Sequence, residues 1–138
     1  MNLGATNMSS RSRNTHEQIG LEKISAVVDD FYNRIQRHPT LARPFSRVRN
    51  WDEHKARLSH FWWISLGGAA YRPDIYNVAA KHMDAEVGMT AALIDDWLAL
   101  FQETLRDSLP MEHAEAWLSR AQNMGRSLRL MLDFHAAK

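Results

Sequence analysis

Cysteine is absent from this chain of 138 residues, which excludes disulfides, thiolate metal sites and cysteine nucleophiles. An excess of one charge is also lacking, because 17 lysines and arginines nearly balance 16 acidic residues. A nucleic-acid-binding protein would show a clustered basic excess, so we expect no nucleic-acid partner. No apolar run approaches the roughly 18 residues that span a bilayer, and no secretory signal follows the N-terminal arginines. We therefore expect a cytoplasmic protein without membrane contact.

The common motifs of nucleotide binding and hydrolysis are missing as well. The stretch SLGGAA matches neither a dinucleotide-binding fingerprint nor a phosphate-binding loop, and no HExxH or GxSxG motif occurs. His54 and His60 are six positions apart, which places them on different faces of a helix and disfavours a zinc pair. No two carboxylates stand out as a general acid and base.

Proline and glycine are scarce, with four and six residues respectively, and the prolines fall outside four stretches of helical periodicity. No stretch shows the sustained alternation of a strand, so the predicted fold class is all-α. Residues 1–15 are polar and predict a disordered arm, and residues 16–138 predict one domain. The four helical stretches are residues 21–37, 51–66, 90–108 and 111–134.

Large aromatic and imidazole side chains are numerous, since five tryptophans and seven histidines occur in the chain. A core built only for stability prefers Leu, Ile and Val, and it places Tyr and Trp where their polar atoms find partners. Helical spacing points Tyr32, His54 and Trp97 inward from three different helices. Polar donors would then meet in apolar surroundings, as a pocket for a bound ligand requires. The histidines predicted as surface or capping residues are His16, His38, His60, His113 and His135.

His82 lies in the stretch AAKHMD, on a predicted short helical turn before the helix that begins near Thr90. One ring nitrogen of such a histidine can face the interior while a backbone carbonyl fixes the other. That arrangement suits a single axial ligand to a flat metal cofactor such as haem. The alternative from this stretch alone is a surface histidine beside Lys81.

Five segments of the chain, in this order, resemble the truncated haemoglobins and within them group III. They are DDFYNRIQRHPTLARPF, NWDEHKARLSHFWW, KHMD, DDWLALFQETL and SRAQNMGRSL. The Phe-Tyr pair, the WxEHKxxLxxFW block and the WLALFxET block carry the specificity, and the resemblance covers residues 16–132. It implies a truncated globin fold, a 2-on-2 α-helical sandwich around haem b, which is iron protoporphyrin IX.

The resemblance also implies roles for individual residues. His82 is the proximal iron ligand, and the Tyr32 hydroxyl donates a hydrogen bond to the ligand on the other side of the haem. Trp97 offers an indole N–H to the same ligand, and His54 acts as a gate or as a second donor. Leu58 lies over the haem. The other implied haem contacts are Phe31, Phe45, Phe61, Trp62 and Met83, with Arg57 beside a propionate; the register of residues 69–78, and with it the Met83 contact, stays open.

A haem protein of this kind is expected to bind oxygen, nitric oxide, carbon monoxide or cyanide at the sixth iron position. Two hydrogen bonds of roughly 1 kcal/mol each would slow ligand release by one to two decades, since about 1.4 kcal/mol is tenfold. Such a pocket suits retention and redox chemistry better than oxygen transport.

Two alternatives to a simple ligand binder remain. One is a haem enzyme, either a nitric oxide dioxygenase or a peroxidase-like protein, with a reductase as its partner. The other is a haem-free sensor module that reuses the globin fold. The expected state of the chain is a monomer or a weak dimer.

Overall fold

The computed structural model describes residues 14–78, 81 and 88–136, and of residues 135 and 136 only the backbone. Within these ranges the regular structure is helical throughout, so the predicted all-α class is confirmed. Residues 1–13 of the predicted N-terminal arm lie outside the described residues. The helices are α1 (Thr15–Ile19), α2 (Leu21–Ile35), α3 (Trp51–Ser65), α4 (Ala91–Ser108) and α5 (Met111–Ala136), with a 3-10 turn at Arg43–Phe45.

The four long helices pack as two pairs. α2 packs against α3, α4 packs against α5, and a contact between α2 and α4 joins the pairs. The short α1 touches α2 and α5, and the His16 N–H donates to the Leu66 carbonyl just after α3 at 3.2 Å. This pairing agrees with the 2-on-2 sandwich that the resemblance implies.

The buried face of α2 follows from its apolar periodicity. Side chains at helical spacing turn toward α3 and α4, and each is at most 4% exposed. Burial of one such apolar side chain contributes about 1.5–3 kcal/mol, so this face is a major source of stability. Its members are Ile24, Val27, Val28, Phe31, Tyr32 and Ile35.

The longest helix, α5, has 26 residues and is amphipathic. Its buried side chains recur at helical spacing, as its sequence predicts, and α4 packs against it. None of the helices in the described ranges combines the length and the apolar character that a membrane crossing needs. The buried residues of α5 include Ala114, Trp117, Leu118, Ala121 and Leu128.

Side-chain caps begin two of the long helices. The Asn50 Oδ1 accepts a hydrogen bond from the Glu53 N–H at 3.1 Å at the start of α3. The Thr90 Oγ1 accepts one from the Leu93 N–H at 3.1 Å at the start of α4. After α3, Gly67 adopts a φ of 116°, a conformation that residues with a Cβ rarely reach, and the helix cannot continue through it.

α2 ends at Ile35, two residues before the limit predicted from the sequence. The His38 N–H donates to the Ile35 carbonyl at 3.0 Å, which tightens the last turn. The His38 Nδ1 then accepts the backbone N–H groups of Thr40 and Leu41, each at 3.2 Å. His38 therefore has the capping role predicted for it.

Of the two roles predicted for His60, surface or capping, the surface position was wrong, because this residue is fully buried on α3. Its Nε2 accepts hydrogen bonds from the backbone N–H groups of Tyr71 and Arg72, at 3.1 and 3.4 Å. These donors come from an irregular segment, whose path helical periodicity does not predict. Thr104 is also buried, and its hydroxyl donates to the Leu100 carbonyl one turn earlier at 2.8 Å.

Candidate functional site

A cavity of about 260 Å³ lies where α2, α3 and α4 meet the connector that follows α2. Aromatic rings form much of its wall, and one methionine from α5 and another from the residues before α4 extend it. Aromatic rings give a pocket large apolar area together with a few polar atoms that can orient a ligand. The predicted site residues whose rings line the cavity are Tyr32, Phe45, His54, Phe61, Trp62 and Trp97.

Tyr32 lines the cavity from α2 and is only 4% exposed. Burial raises the pKa of its phenol well above the ordinary value; the neighbouring phenol of Tyr76 raises it further, while a hydrogen bond with Trp97 opposes the rise. The phenol therefore stays protonated at every physiological pH. Tyr32 is equipped to donate a hydrogen bond to a molecule in the cavity.

The His54 imidazole lies within four aromatic rings, defined here as the aromatic box: Tyr32, Phe45, Trp51 and Tyr76. The centroids of these rings are 5.5 to 6.2 Å from the imidazole centroid. Three of the four meet the imidazole edge-on, at interplanar angles of 85 to 88°. The box keeps the imidazole in place on the cavity wall.

The electrostatic surroundings keep His54 neutral. Burial lowers the pKa of the imidazole to about 4, and the nearby charges of Arg57 and Lys81 contribute to the decrease. The buried Nε2 atom has no hydrogen-bond partner within the described part of the chain. A buried polar atom without a partner costs about 1–3 kcal/mol, so Nε2 is an atom that a bound molecule would stabilise.

Basic side chains are concentrated around the cavity. Its described lining contains Arg43, Arg47, Arg57 and Lys81 but no carboxylate, although the whole chain carries a net charge of only +1. The Arg57 Cζ lies 5.5 Å from the centroid of the Tyr76 ring, within the range of a cation–π contact. The lining fits a molecule that is apolar over most of its surface and negatively charged at one edge.

The residues predicted from the resemblance fall into three groups. Phe31 is buried, with its ring 5.0 Å from Tyr32 and 5.3 Å from Trp97, and it does not line the cavity. His82 and Met83, the predicted iron ligand and its neighbour, lie outside the described residues, whereas the preceding Lys81 lines the cavity. The eight predicted residues that line the cavity are Tyr32, Phe45, His54, Arg57, Leu58, Phe61, Trp62 and Trp97.

Sequence reasoning did not identify Tyr76, although this residue completes the aromatic box. Burial raises the pKa of its phenol, while the charge of Arg57 acts in the opposite direction. Tyr76 lies in the irregular segment before residue 78, where no periodicity indicates which way a side chain points. The sequence contained no signal that distinguishes Tyr76 from the exposed Tyr71 nearby.

Arg43 and Arg47 were also missed, but here a signal was present. Between Asp30 and Asp52 the sequence contains five arginines and no acidic residue. Such a run in a nearly neutral chain indicates a local positive surface. The structure places two of these arginines on the cavity wall.

Comparisons with known proteins agree with the resemblance to group III. A family profile described as Bacterial-like globin matches residues 14–129, which is most of the chain. The Group 3 truncated hemoglobin ctb of Campylobacter jejuni subsp. jejuni serotype O:2 is 28% identical over 122 residues, covering 84% of this chain and 93% of that protein. The matched region includes every described residue of the cavity wall.

Proposed function

Because the chain belongs to the bacterial-like globin family, within which its motifs match group III, we propose that it binds haem b in the cavity and small diatomic ligands on that haem. Haem supplies an iron with one coordination position open to oxygen, nitric oxide, carbon monoxide or cyanide. The observation that carries this proposal is the neutral His54, whose buried Nε2 has no partner within the described residues, in a cavity walled by aromatic rings.

His82 holds the iron in this proposal. It directly follows Lys81, whose side chain lines the cavity. The Lys81 N–H donates to the Asn77 carbonyl at 3.1 Å, a helical hydrogen bond at the entrance to this stretch. A neutral imidazole on a helical turn is a common axial ligand of haem.

Tyr32, Trp97 and His54 act on the ligand. Tyr32 remains protonated because burial raises its pKa, and Trp97 lines the same cavity, where its indole N–H is a second donor in this proposal. His54 remains neutral above about pH 4, so its Nε2 can donate or accept without adding a charge. Each neutral hydrogen bond contributes about 1 kcal/mol to retention of the ligand.

The basic wall of the cavity complements the carboxylates of haem. Arg43, Arg47, Arg57 and Lys81 supply positive charge at the cavity, and no carboxylate in the described lining competes with a propionate. Arginine binds carboxylates through paired N–H groups, which orients as well as attracts them. These side chains therefore favour one orientation of the bound group.

The test is reconstitution of the purified chain with haem, followed by absorption spectra of the ferric, ferrous and carbonyl forms. His82→Ala should lose haem or hold it loosely, because the metal loses its protein ligand. His113→Ala, a half-buried histidine on α5 that does not line the cavity, should retain haem like the wild type. Retention by His82→Ala equal to the wild type would remove His82 from its role.

Wild-type protein without a Soret band after addition of haem would refute haem binding itself. A haem-free sensor module would then become the better interpretation. Spectra of the ferrous form without added ligand also report whether His54 coordinates the iron. If it does, the spectrum is that of a six-coordinate haem.

A haem enzyme is the second candidate, favoured by three hydrogen-bond donors around one cavity. This arrangement suits prolonged retention and conversion of a ligand better than rapid release. Nitric oxide dioxygenase or peroxidase-like chemistry would require an electron donor such as a reductase. Repeated consumption of nitric oxide with a reductase present would support the enzyme, and a single stoichiometric oxidation would support the binder.

A further inference from the structure

Residues 69–77, defined here as the strap, run back along α3 toward the cavity. At the end of α3, the Trp63 Nε1–H donates to the Ala69 carbonyl at 2.9 Å. At the other end, the Tyr76 ring lies 5.9 Å from the His54 ring in the aromatic box. The strap therefore joins the C-terminal end of α3 to the cavity and leads the chain toward the predicted iron ligand.

The start of the strap depends on a close approach to α3. A Cβ placed on Gly68 would overlap the Trp63 ring, so only glycine allows the chain to pass at this distance. The same Trp63 ring holds the next residue through its indole N–H. The path of the strap is thus fixed from its first residue.

His60 fixes the middle of the strap. Its imidazole is fully buried, and Nε2 accepts the backbone N–H groups of Tyr71 at 3.1 Å and Arg72 at 3.4 Å. The Tyr71 ring packs against the imidazole at 4.5 Å with an interplanar angle of 72°. Backbone N–H groups can only donate, so these bonds require a neutral imidazole whose proton is on Nδ1.

A second contact from α3 holds the same point of the strap. The Arg72 guanidinium forms an ion pair with the Glu53 carboxylate. Glu53, Arg57 and His60 are spaced by four and three positions, so they occupy one face of α3. Arg57 contacts Tyr76 on that face. The strap therefore lies along a single face of α3, the helix to which His54 also belongs.

We propose that His60 is a positioning residue for haem binding, which acts by holding the strap against α3. The inference rests on the proposed function, because the strap leads into the stretch that contains His82. His60 does not line the cavity, so its effect passes through the strap and not through contact with haem. The strap is irregular, so acceptors on α3 replace the hydrogen bonds that a helix or strand would provide.

Two substitutions at His60 separate its acceptor from its bulk. His60→Gln keeps an oxygen acceptor near the position of Nε2, whereas His60→Leu fills the space and offers none. Transfer of haem to an excess of an acceptor globin measures the dissociation rate. We expect His60→Leu to lose haem about tenfold faster than the wild type, and His60→Gln to remain within about threefold.

Val27→Ala is the matched control, because Val27 is a fully buried core residue on α2 that does not line the cavity. Hydrogen exchange of the Tyr71 and Arg72 amides is the readout that general destabilisation would not move selectively. These amides should exchange faster in His60→Leu, return toward the wild-type rate in His60→Gln and stay protected in Val27→Ala. The proposal would be overturned if His60→Leu and Val27→Ala had equal effects on haem loss and amide exchange. It would also be overturned if His60→Gln did not restore the wild-type behaviour.

Two variants of Tyr71 test the hydrogen bond between the Tyr71 N–H and His60 Nε2 by changing its donor. Tyr71→Pro removes the N–H that His60 accepts, and Tyr71→Ala keeps that N–H while removing the ring. Faster haem loss from the proline variant than from the alanine variant supports the proposal, and equal rates oppose it. If the wild type takes up no haem, the proposed function fails; if it does and the His60 variants match it, only this inference fails.

Discussion

The aromatic box around His54 and the aromatic core between the helix pairs use similar side chains for different purposes. In the core stack, defined here as Trp62, Trp97, Phe101 and Trp117, the first three rings lie nearly parallel, such as Trp62 and Phe101 at 5.4 Å and 18°, and Trp117 packs edge-on against Phe101 at 77°. The rings of the box meet His54 mostly edge-on, and three of them, Tyr32, Phe45 and Tyr76, line the cavity beside it. Parallel rings exclude solvent from a core, whereas edge-on rings hold a polar group in place and leave its nitrogen available.

Both regions contain a buried nitrogen without a hydrogen-bond partner in the described part of the chain, His54 Nε2 and Trp117 Nε1. His54 lines the cavity, where a bound molecule can provide a partner, but Trp117 does not. We therefore propose that the missing partner is a binding determinant at His54, whereas at Trp117 in the core stack it only costs about 1–3 kcal/mol. An unpartnered polar atom indicates a site only where a cavity adjoins it.

The largest expected effect is on stability in the core stack. Trp117→Ala should lower the free energy of unfolding by about 3–5 kcal/mol, because a fully buried ring leaves a cavity behind. Trp51→Ala in the box should cost less than about 2 kcal/mol, since this ring is only partly buried. Urea unfolding followed by circular dichroism measures both. Equal losses of unfolding free energy in Trp117→Ala and Trp51→Ala would show that the core stack is no more important for stability than the box.

The second effect concerns ligand release. Tyr32→Phe should raise the oxygen dissociation rate of the haem-loaded protein about fivefold, because one hydrogen bond of about 1 kcal/mol to the ligand is lost. The aromatic ring remains, so the free energy of unfolding should change by less than about 1 kcal/mol. Stopped-flow displacement of oxygen measures the rate, with Tyr71→Phe outside the cavity as the control. An unchanged or slower rate would exclude Tyr32 as a donor.

The smallest effect is a dependence of stability on pH. Burial lowers the pKa of His54 to about 4 from its ordinary 6.5, so between these values the unfolded chain binds more protons than the folded chain. The free energy of unfolding that depends on a neutral His54 is therefore fully present above pH 6.5 and is lost as the pH falls toward 4. Because the ring is partly exposed, we expect a loss of about 1–2 kcal/mol.

His54→Gln should make the unfolding free energy of the haem-free chain less dependent on pH over this range. Nuclear magnetic resonance titration of the imidazole measures its pKa directly. Parallel pH profiles of the variant and the wild type, or an imidazole that titrates near 6.5, would show that the box does not keep His54 neutral.

Sequence patterns predicted the helices because their determinants are local. Asn50 begins α3 through a hydrogen bond to a residue three positions later, and the α2 stripe is a property of one helix. The cavity brings together side chains from three helices, namely Tyr32, His54 and Trp97. Helical spacing predicts the buried face of each helix, but it does not predict which faces pack together. The motifs supplied the missing information, because they tie these positions to one fold.

His60 and Tyr76 show where sequence reasoning stopped. A histidine is seldom fully buried, and the returning strap, with the N–H of Tyr71, makes burial of His60 tolerable. Tyr76 faces the box because the same irregular strap carries it there. Both outcomes depend on the path of a segment without periodicity, and a one-dimensional pattern does not encode that path.

Trp97 joins the two regions, since its ring stacks on Phe101 at 4.9 Å in the core stack and also lines the cavity together with Tyr32 of the box. Substitutions at Tyr32 and at Trp97 therefore differ in their value for adjusting the residence time of a ligand. On the proposed function, loss of the Tyr32 hydroxyl would shorten the residence time of a ligand with little change in stability, whereas any exchange at Trp97 would also change the melting temperature. We therefore expect position 32 to control ligand lifetime independently, and position 97 to be coupled to the integrity of the whole fold.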